Sequence, residues 1–272
     1  MNIEIYQVDA FTNDIFKGNP AGVCITKEAL SESLMLSIAA EMAVSETAFL
    51  SLKDMNLKWF TPQAEVKLCG HGTLSVTHIL KEKKLFNVND TVTFNTLSGP
   101  LTALIQPSTI ELDFPAPVLD FNITPSSELL TSLGIETEHV ISYGIFDSKI
   151  LIEVDDEDIL LNLAPNFDRL KKIDGRGVLI TALTKRDDLD FISRFFAPWV
   201  GVNEDPVTGS AHCALTLYWS EKLNKVKLNG YQASARGGYV STELLPNGRI
   251  KLIGSAITVI KGTLHLPELS NY

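Results

Sequence analysis

Two stretches decide the reading of this chain: Leu68-Cys69-Gly70-His71-Gly72-Thr73 and Glu204-Asp205-Pro206-Val207-Thr208-Gly209-Ser210. Each opens into an apolar helical run, predicted from Thr73 to about Lys83 in the first case and from Ser210 to about Leu223 in the second. Gly70 and Gly209 are separated by close to half of the 272-residue chain, so the sequence reads as an internal duplication with one half-site per half. A helix N-terminus gathers unpaired N–H groups and the positive end of the helix dipole, which makes each motif an anion-binding arrangement. A small carboxylate-bearing substrate is the expected ligand. In the second helix Ala211, Cys213, Ala214, Leu215, Leu217, Tyr218 and Trp219 leave almost no polar face before Ser220, the pattern of a helix enclosed by a sheet.

Outward from these motifs the chain alternates in strand fashion. Ile3–Val8, Ala21–Ile25, Thr47–Leu52 and Leu57–Phe60 read as strands, and Ser31 is placed to cap a helix with Leu34, Ile38 and Met42 on one face. Thr91–Phe94, Leu101–Ile105 and Ile110–Phe114 suggest an antiparallel meander, closed by Pro115-Ala116-Pro117. The second half repeats the theme, with strands at Val140–Ile145, Ile150–Val154, Gly177–Thr181, Asp190–Phe196, Tyr239–Leu244, Arg249–Ile253 and Ala256–Leu264. Domains are expected at 1–117 and 118–272, with the last strand able to return to the first.

Composition excludes several classes. Lys+Arg 23 against Asp+Glu 33 gives a net charge of −10, and no long basic run interrupts that balance, so nucleic acid is not an expected partner. The first residues lack a signal-peptide pattern and no apolar stretch reaches the ~18 residues of a membrane span. The expectation is a cytoplasmic protein without a membrane partner. Cys24, Cys69 and Cys213 are an odd number without CxxC spacing, which points to free thiols.

Moving a proton off carbon beside a carboxylate needs a placed base, an acid to return the proton and donors for the developing charge. Glu46, inside Val44-Ser45-Glu46-Thr47, is a candidate proton carrier whose pKa burial would raise towards neutrality; the alternative is an exposed loop carboxylate. Cys69 precedes a helix N-terminus, where the dipole would favour the thiolate; the alternative is an inert buried cysteine. His71, flanked by Gly70 and Gly72, has no neighbouring side chains to pack it and reads as functional. Asp205 is held extended by Pro206, and Ser210 can cap the helix that follows. Ser75 stands where a dinucleotide fingerprint needs its third glycine, and a phosphate-binding GxxxxGK[ST] loop is absent, so NAD and ATP are disfavoured. Cys69, His71, His212 and Cys213 are possible zinc ligands, but adjacent helical residues diverge by roughly 100°, and no metal is expected.

These segments resemble the PhzF family of isomerases and, more distantly, diaminopimelate epimerase and proline racemase. The resemblance is carried by Val8-Asp9-Ala10-Phe11-Thr12, Gly18-Asn19-Pro20-Ala21-Gly22-Val23, Ser45-Glu46-Thr47-Ala48-Phe49, Trp59-Phe60-Thr61-Pro62, both glycine motifs, and Gln232 with Arg236-Gly237-Gly238. It implies an α+β fold of two similar domains, each a curved, mostly antiparallel sheet around a central helix, with the active site in the interdomain cleft. It further implies a homodimer and a cofactor-independent isomerase in which Glu46 shuttles a proton. His71 and Asp205 would join it in catalysis, with Cys69, Gly70, Gly72, Thr208, Gly209 and Ser210 against the substrate. Two other readings stay open: a Cys69/Asp205 two-base epimerase or racemase of an amino or imino acid, since the second cysteine of such enzymes is matched by Asp205, and a non-catalytic binding protein that retains the cleft.

Overall fold

The computed structural model describes residues 2–266, and the chain falls into two compact units. One takes the chain up to Phe114 and again from Lys251 onward; the other is Pro115–Ile250. The first unit begins with β1 (Asn2–Ala10), β2 (Asn19–Thr26), α1 (Glu32–Met42), β3 (Glu46–Ser51), β4 (Asn56–Phe60) and β5 (Glu65–Val66). It continues with α2 (Gly70–Glu82), β6 (Thr91–Thr96), β7 (Gly99–Ile105) and β8 (Ile110–Pro115). The second holds α3 (Ser127–Leu133), β9 (Val140–Phe146), β10 (Lys149–Val154), α4 (Glu157–Leu161), α5 (Phe167–Leu170), β11 (Val178–Leu183), β12 (Phe191–Ala197) and β13 (Val202–Asp205). There follow α6 (Gly209–Leu223), β14 (Lys227–Gln232), β15 (Gly238–Leu244), β16 (Arg249–Gly254) and β17 (Ala256–His265). β17 runs antiparallel along β1, from Asn2 opposite His265 to Ala10 opposite Ala256, which ties the returning chain to the first unit.

Strand pairing repeats between the units. In the first, β1/β2, β3/β4, β4/β5 and β6/β7 are antiparallel, while β2/β3 and β4/β6 are parallel. In the second, β9/β10, β11/β12, β12/β13 and β14/β15 are antiparallel, while β10/β11 and β12/β14 are parallel. Parallel neighbours cannot be joined by a tight turn, and each parallel pair is bridged by a helix-bearing crossover. α2 and α6 occupy the same crossover in their units. The short strands β5 and β13, invisible in the sequence because they are too brief to alternate, deliver the chain to the two glycine motifs.

α2 is buried on most of its surface. Leu74, Val76, Ile79 and Leu80 are fully covered, and the helix packs against β1, β2, β3, β7 and β17 of its own unit. Each such side chain contributes roughly 1.5–3 kcal/mol by leaving water. On the other side of the strands, α1 covers a second cluster in which Leu34, Met35, Ile38 and Ala39 meet Ile3, Ile5, Cys24, Phe49 and Phe60. Sheet residues are therefore buried on both faces, and β3 shows it, with every residue after Glu46 buried. α6 sits likewise among Phe146, Leu151, Leu179, Phe191, Phe195 and Leu228, with Trp219 stacked on Phe191 at 6.1 Å.

Two helix starts differ from the sequence expectation. α2 begins at Gly70, three residues before Thr73, because the Cys69 sulfur caps it by accepting the Gly72 N–H at 3.3 Å. α6 begins at Gly209 with Thr208 at the cap position, so Ser210 lies inside the first turn and does not cap the helix. Thr208 gives no side-chain cap either, since its hydroxyl is donated to Asp205. Ser31 caps α1 as expected, accepting from the Leu34 N–H at 3.3 Å.

Candidate active site

The first unit gathers Glu46, Cys69 and His71. α1 ends at Ala43 in the left-handed region, φ 51°, and this reversal sets Ser45 and Glu46 at the head of β3, where Glu46 stands opposite Ala21 of the parallel β2. His71, in the first turn of α2, points its Nε2 to within 3.3 Å of Glu46 Oε2 and 3.4 Å of Ser45 Oγ. Cys69 Sγ lies 3.5 Å from His71 Nδ1 and 3.9 Å from Nε2. His71 is thus packed by side chains remote in sequence, although its own neighbours are glycines. Gly72 has a packing reason of its own: a Cβ there would come within 2.7 Å of Trp59 Cδ1 and 3.0 Å of Cys69 Sγ.

Burial opposes charge on all three groups; partners outweigh it for His71 and Glu46 but not for Cys69. For His71, burial lowers the pKa, but Cys69 and Glu46 hold it well above the ordinary histidine range. For Glu46, burial raises the pKa, yet the hydrogen bond and charge of His71 outweigh it and keep the carboxyl below its usual range. The expected rise towards neutrality is therefore reversed, because His71, 25 positions away in the chain, stands beside the carboxylate. For Cys69, burial is the largest influence and pushes the thiol up, against the pull of His71. The helix N-terminus does not win there: a dipole contributes about 0.3–1 kcal/mol, less than the cost of burying a thiolate. With the thiol protonated, its charge no longer acts on His71 and Glu46 alone supplies the counter-charge, so the directions of the two shifts favour a resting pair of carboxylate and imidazolium.

The second unit gathers Asp205, Thr208, Gly209 and Ser210. Thr208 Oγ1 donates to Asp205 Oδ2 at 2.5 Å. Gln232, fully buried at the end of β14, accepts from the Thr208 N–H at 2.8 Å and donates through Nε2 to the Asp205 carbonyl at 2.7 Å and Thr208 Oγ1 at 3.2 Å. Ser234 Oγ donates to the Pro206 carbonyl at 2.8 Å, so the whole motif loop is clamped. Glu204 is committed elsewhere, in a two-pronged pair with Arg194 at 2.7 and 3.0 Å.

Two participants were not singled out as site residues in the sequence. Gln232 stood in a motif but without a role, because a buried amide cannot be told from a surface one by its neighbours. Lys149 follows Asp147 and Ser148, whose positive φ values of 45° and 63° make a tight two-residue hairpin between β9 and β10. That turn brings Lys149 Nζ to 3.5 Å from Ser210 Oγ, and burial lowers the lysine pKa. His212 donates from Nδ1 to the Thr208 carbonyl at 2.9 Å, and burial pushes its pKa down to about 4.

A duplicated α+β unit with a buried helix is the architecture of the epimerases and racemases. A probable proline racemase from Agrobacterium radiobacter, 14% identical, superposes with a TM-score of 0.62 over 98% of this chain and 94% of its own. Within that fold group the chain belongs to the phenazine biosynthesis-like (PhzF) family, whose model matches residues 8–262. An uncharacterized isomerase of Halalkalibacterium halodurans is 47% identical over 268 residues, 98% of this chain and 100% of the relative. The PhzF-family crystal structure from Enterococcus faecalis, 37% identical, superposes with a TM-score of 0.89 over 98% of this chain and 100% of its own. The general function is that of an isomerase. Among the described residues, no helix is long and apolar enough to cross a membrane.

Proposed function

We propose that this protein is a cofactor-independent isomerase that moves a proton between carbons of a small carboxylate-bearing substrate, with Glu46 as the proton carrier. The observation that carries this reading is the half-buried Glu46 carboxylate, held ionised 3.3 Å from the buried His71 imidazolium. An ionised Glu46 starts as the base: its oxygen takes the proton as the C–H bond breaks, and the electron pair is left on the conjugated substrate acid. Neutral Glu46, whose side chain keeps 22% of its surface open to solvent, exchanges its proton with water and delivers a proton at another carbon, and the carboxylate is restored. His71 positions Glu46 and opposes accumulation of negative charge near it. The first N–H groups of α2, which a helix leaves without internal acceptors, supply donors for the substrate carboxylate.

The two-base reading is weaker, because the Cys69 sulfur already accepts the Gly72 N–H and its proton is held tightly by burial. The test is solvent-deuterium incorporation into a panel of unsaturated and hydroxylated carboxylic acids in D2O. Wild type is expected to incorporate deuterium into at least one of them and Glu46→Gln to lose that exchange. Undiminished exchange in the variant removes Glu46 from the role, and exchange abolished by thiol alkylation alone would favour Cys69.

A further inference from the structure

We propose that Glu46, Cys69 and His71 form a divalent-metal site of zinc-like preference, whose occupancy blocks the proton carrier. A carboxylate oxygen, a sulfur and an imidazole nitrogen converge so that one donor atom of each lies within 4.8 Å of the other two. Two ligands of a tetrahedral zinc ion stand about 3.3–3.7 Å apart, given metal–ligand bonds of roughly 2.0–2.3 Å. Taking Nε2 as the histidine donor, its separations are 3.3 Å from Glu46 Oε2 and 3.9 Å from Cys69 Sγ, and the sulfur and carboxylate lie within 4.8 Å, so ligation draws the sulfur inward towards the other two donors.

The donor set selects the ion. One soft sulfur, one imidazole and one carboxylate suit zinc or cobalt, whereas magnesium and calcium prefer oxygen alone. One supporting group is in place: the Gly72 N–H points at the sulfur at 3.3 Å. Cys69 and His71 are buried, while the Glu46 side chain keeps 22% of its surface, which gives an ion its way in. Binding releases the thiol proton of Cys69 and the imidazolium proton of His71 to solvent, and three protein ligands leave a fourth position open. The metal is no cofactor for the proposed reaction, since it occupies the oxygen lone pair that Glu46 would use on a C–H bond. Zinc is therefore a reversible inhibitor that competes for the carboxylate.

The experiment titrates metal-free protein with cobalt(II) and follows the absorption spectrum. One equivalent is expected to produce a near-ultraviolet sulfur-to-cobalt band together with visible bands of tetrahedral intensity, and zinc is expected to erase both. Glu46→Gln, which removes a half-exposed donor, is expected to weaken cobalt binding at least about tenfold, and Cys69→Ser to abolish the ultraviolet band. His139→Ala, an exposed histidine paired with Asp155, serves as the control and should bind as wild type. Far-ultraviolet circular dichroism establishes that each variant is folded; if Cys69→Ser is not, the wild-type band and Glu46→Gln decide. Absence of a sulfur-to-cobalt band in wild type, or equal affinity in Glu46→Gln, overturns the proposal. Because the readout is binding, the site stands or falls independently of the isomerase reaction, whereas the inhibition rests on Glu46 as the proton carrier of the proposed function.

Discussion

Each unit carries a buried histidine in the opening turns of its enclosed helix, and the two are held in opposite charge states. His71 of α2 is an imidazolium beside Glu46, whereas His212 of α6 is neutral, with Nδ1 bonded to the Thr208 carbonyl and Nε2 without a hydrogen-bond partner. The counter-charge explains the difference. Glu46 is the first residue of β3 and meets His71; in the second unit the first residue of β11, Val178, packs with Leu130, Leu160 and Leu170 and not against α6, and the ring beside His212 is Phe191 at 6.0 Å. A carboxylate beside one imidazole and an aromatic ring beside the other leave the first charged and the second neutral. Duplication of a scaffold thus leaves the chemistry of each copy free to diverge.

The comparison is open to direct attack. The largest expected effect is on Glu46→Gln, which should cut kcat/KM for the proton transfer by about 10²–10⁴-fold, the usual worth of a general acid–base group. A smaller loss would mean that the ionic centre does not carry the reaction.

The histidines should then respond to pH with opposite signs. His212 has a folded pKa below its unfolded value, so it contributes stability above pH ~6.5 that is lost as pH falls from ~6.5 to about 4. The full loss is about 3 kcal/mol. His71 has a raised folded pKa, so its contribution is complete below pH ~6.5 and is lost as pH rises through that folded value. Urea unfolding across pH, on wild type and His212→Leu, checks this: the variant should flatten the acid limb, and an unchanged limb would show that His212 is not buried neutral.

Gln232→Ala removes the amide that clamps Asp205 and Thr208 and leaves the Thr208 N–H without its acceptor. Unfolding free energy should drop by about 2–3 kcal/mol, and a change below 0.5 kcal/mol would show that the loop holds itself. The smallest expected effect is that of Gly72→Ala. Its Cβ collides with Trp59 and Cys69, and the repacking should cost about 1–3 kcal/mol, read as a lowered midpoint in urea. Full stability in that variant would mean that Trp59 moves aside freely.

Much of this was legible in the chain. The paired glycine motifs, the apolar run Ala211–Trp219 and the Ser31 cap announced two enclosed helices and a repeated α+β unit, because periodicity and capping are local properties of sequence. Glu46, Cys69 and His71 were identifiable as chemistry-bearing residues, but the pKa shift of Glu46 was read with the wrong sign, and of the two readings left open for Cys69 the structure favours the buried thiol. Each was judged against its sequence neighbours and its helix end, whereas the decisive neighbour was a side chain 25 residues away or the desolvation of a packed site. Helix starts were misplaced for a related reason: a cysteine sulfur is not a usual cap, and Ser210, expected to cap α6, lies inside its first turn.

By itself, the sequence determined the duplicated α+β plan and the identity of the residues able to move a proton. Only the tertiary structure decided that Glu46 meets His71 while Phe191 stands beside His212 in the other unit, that Gln232 clamps the Asp205 loop, and that Lys149 stands beside Ser210. The physical reason is that secondary structure is encoded over a few residues. Protonation and hydrogen bonding are instead set by whatever charge, dipole or apolar wall the folded chain brings to within a few ångströms.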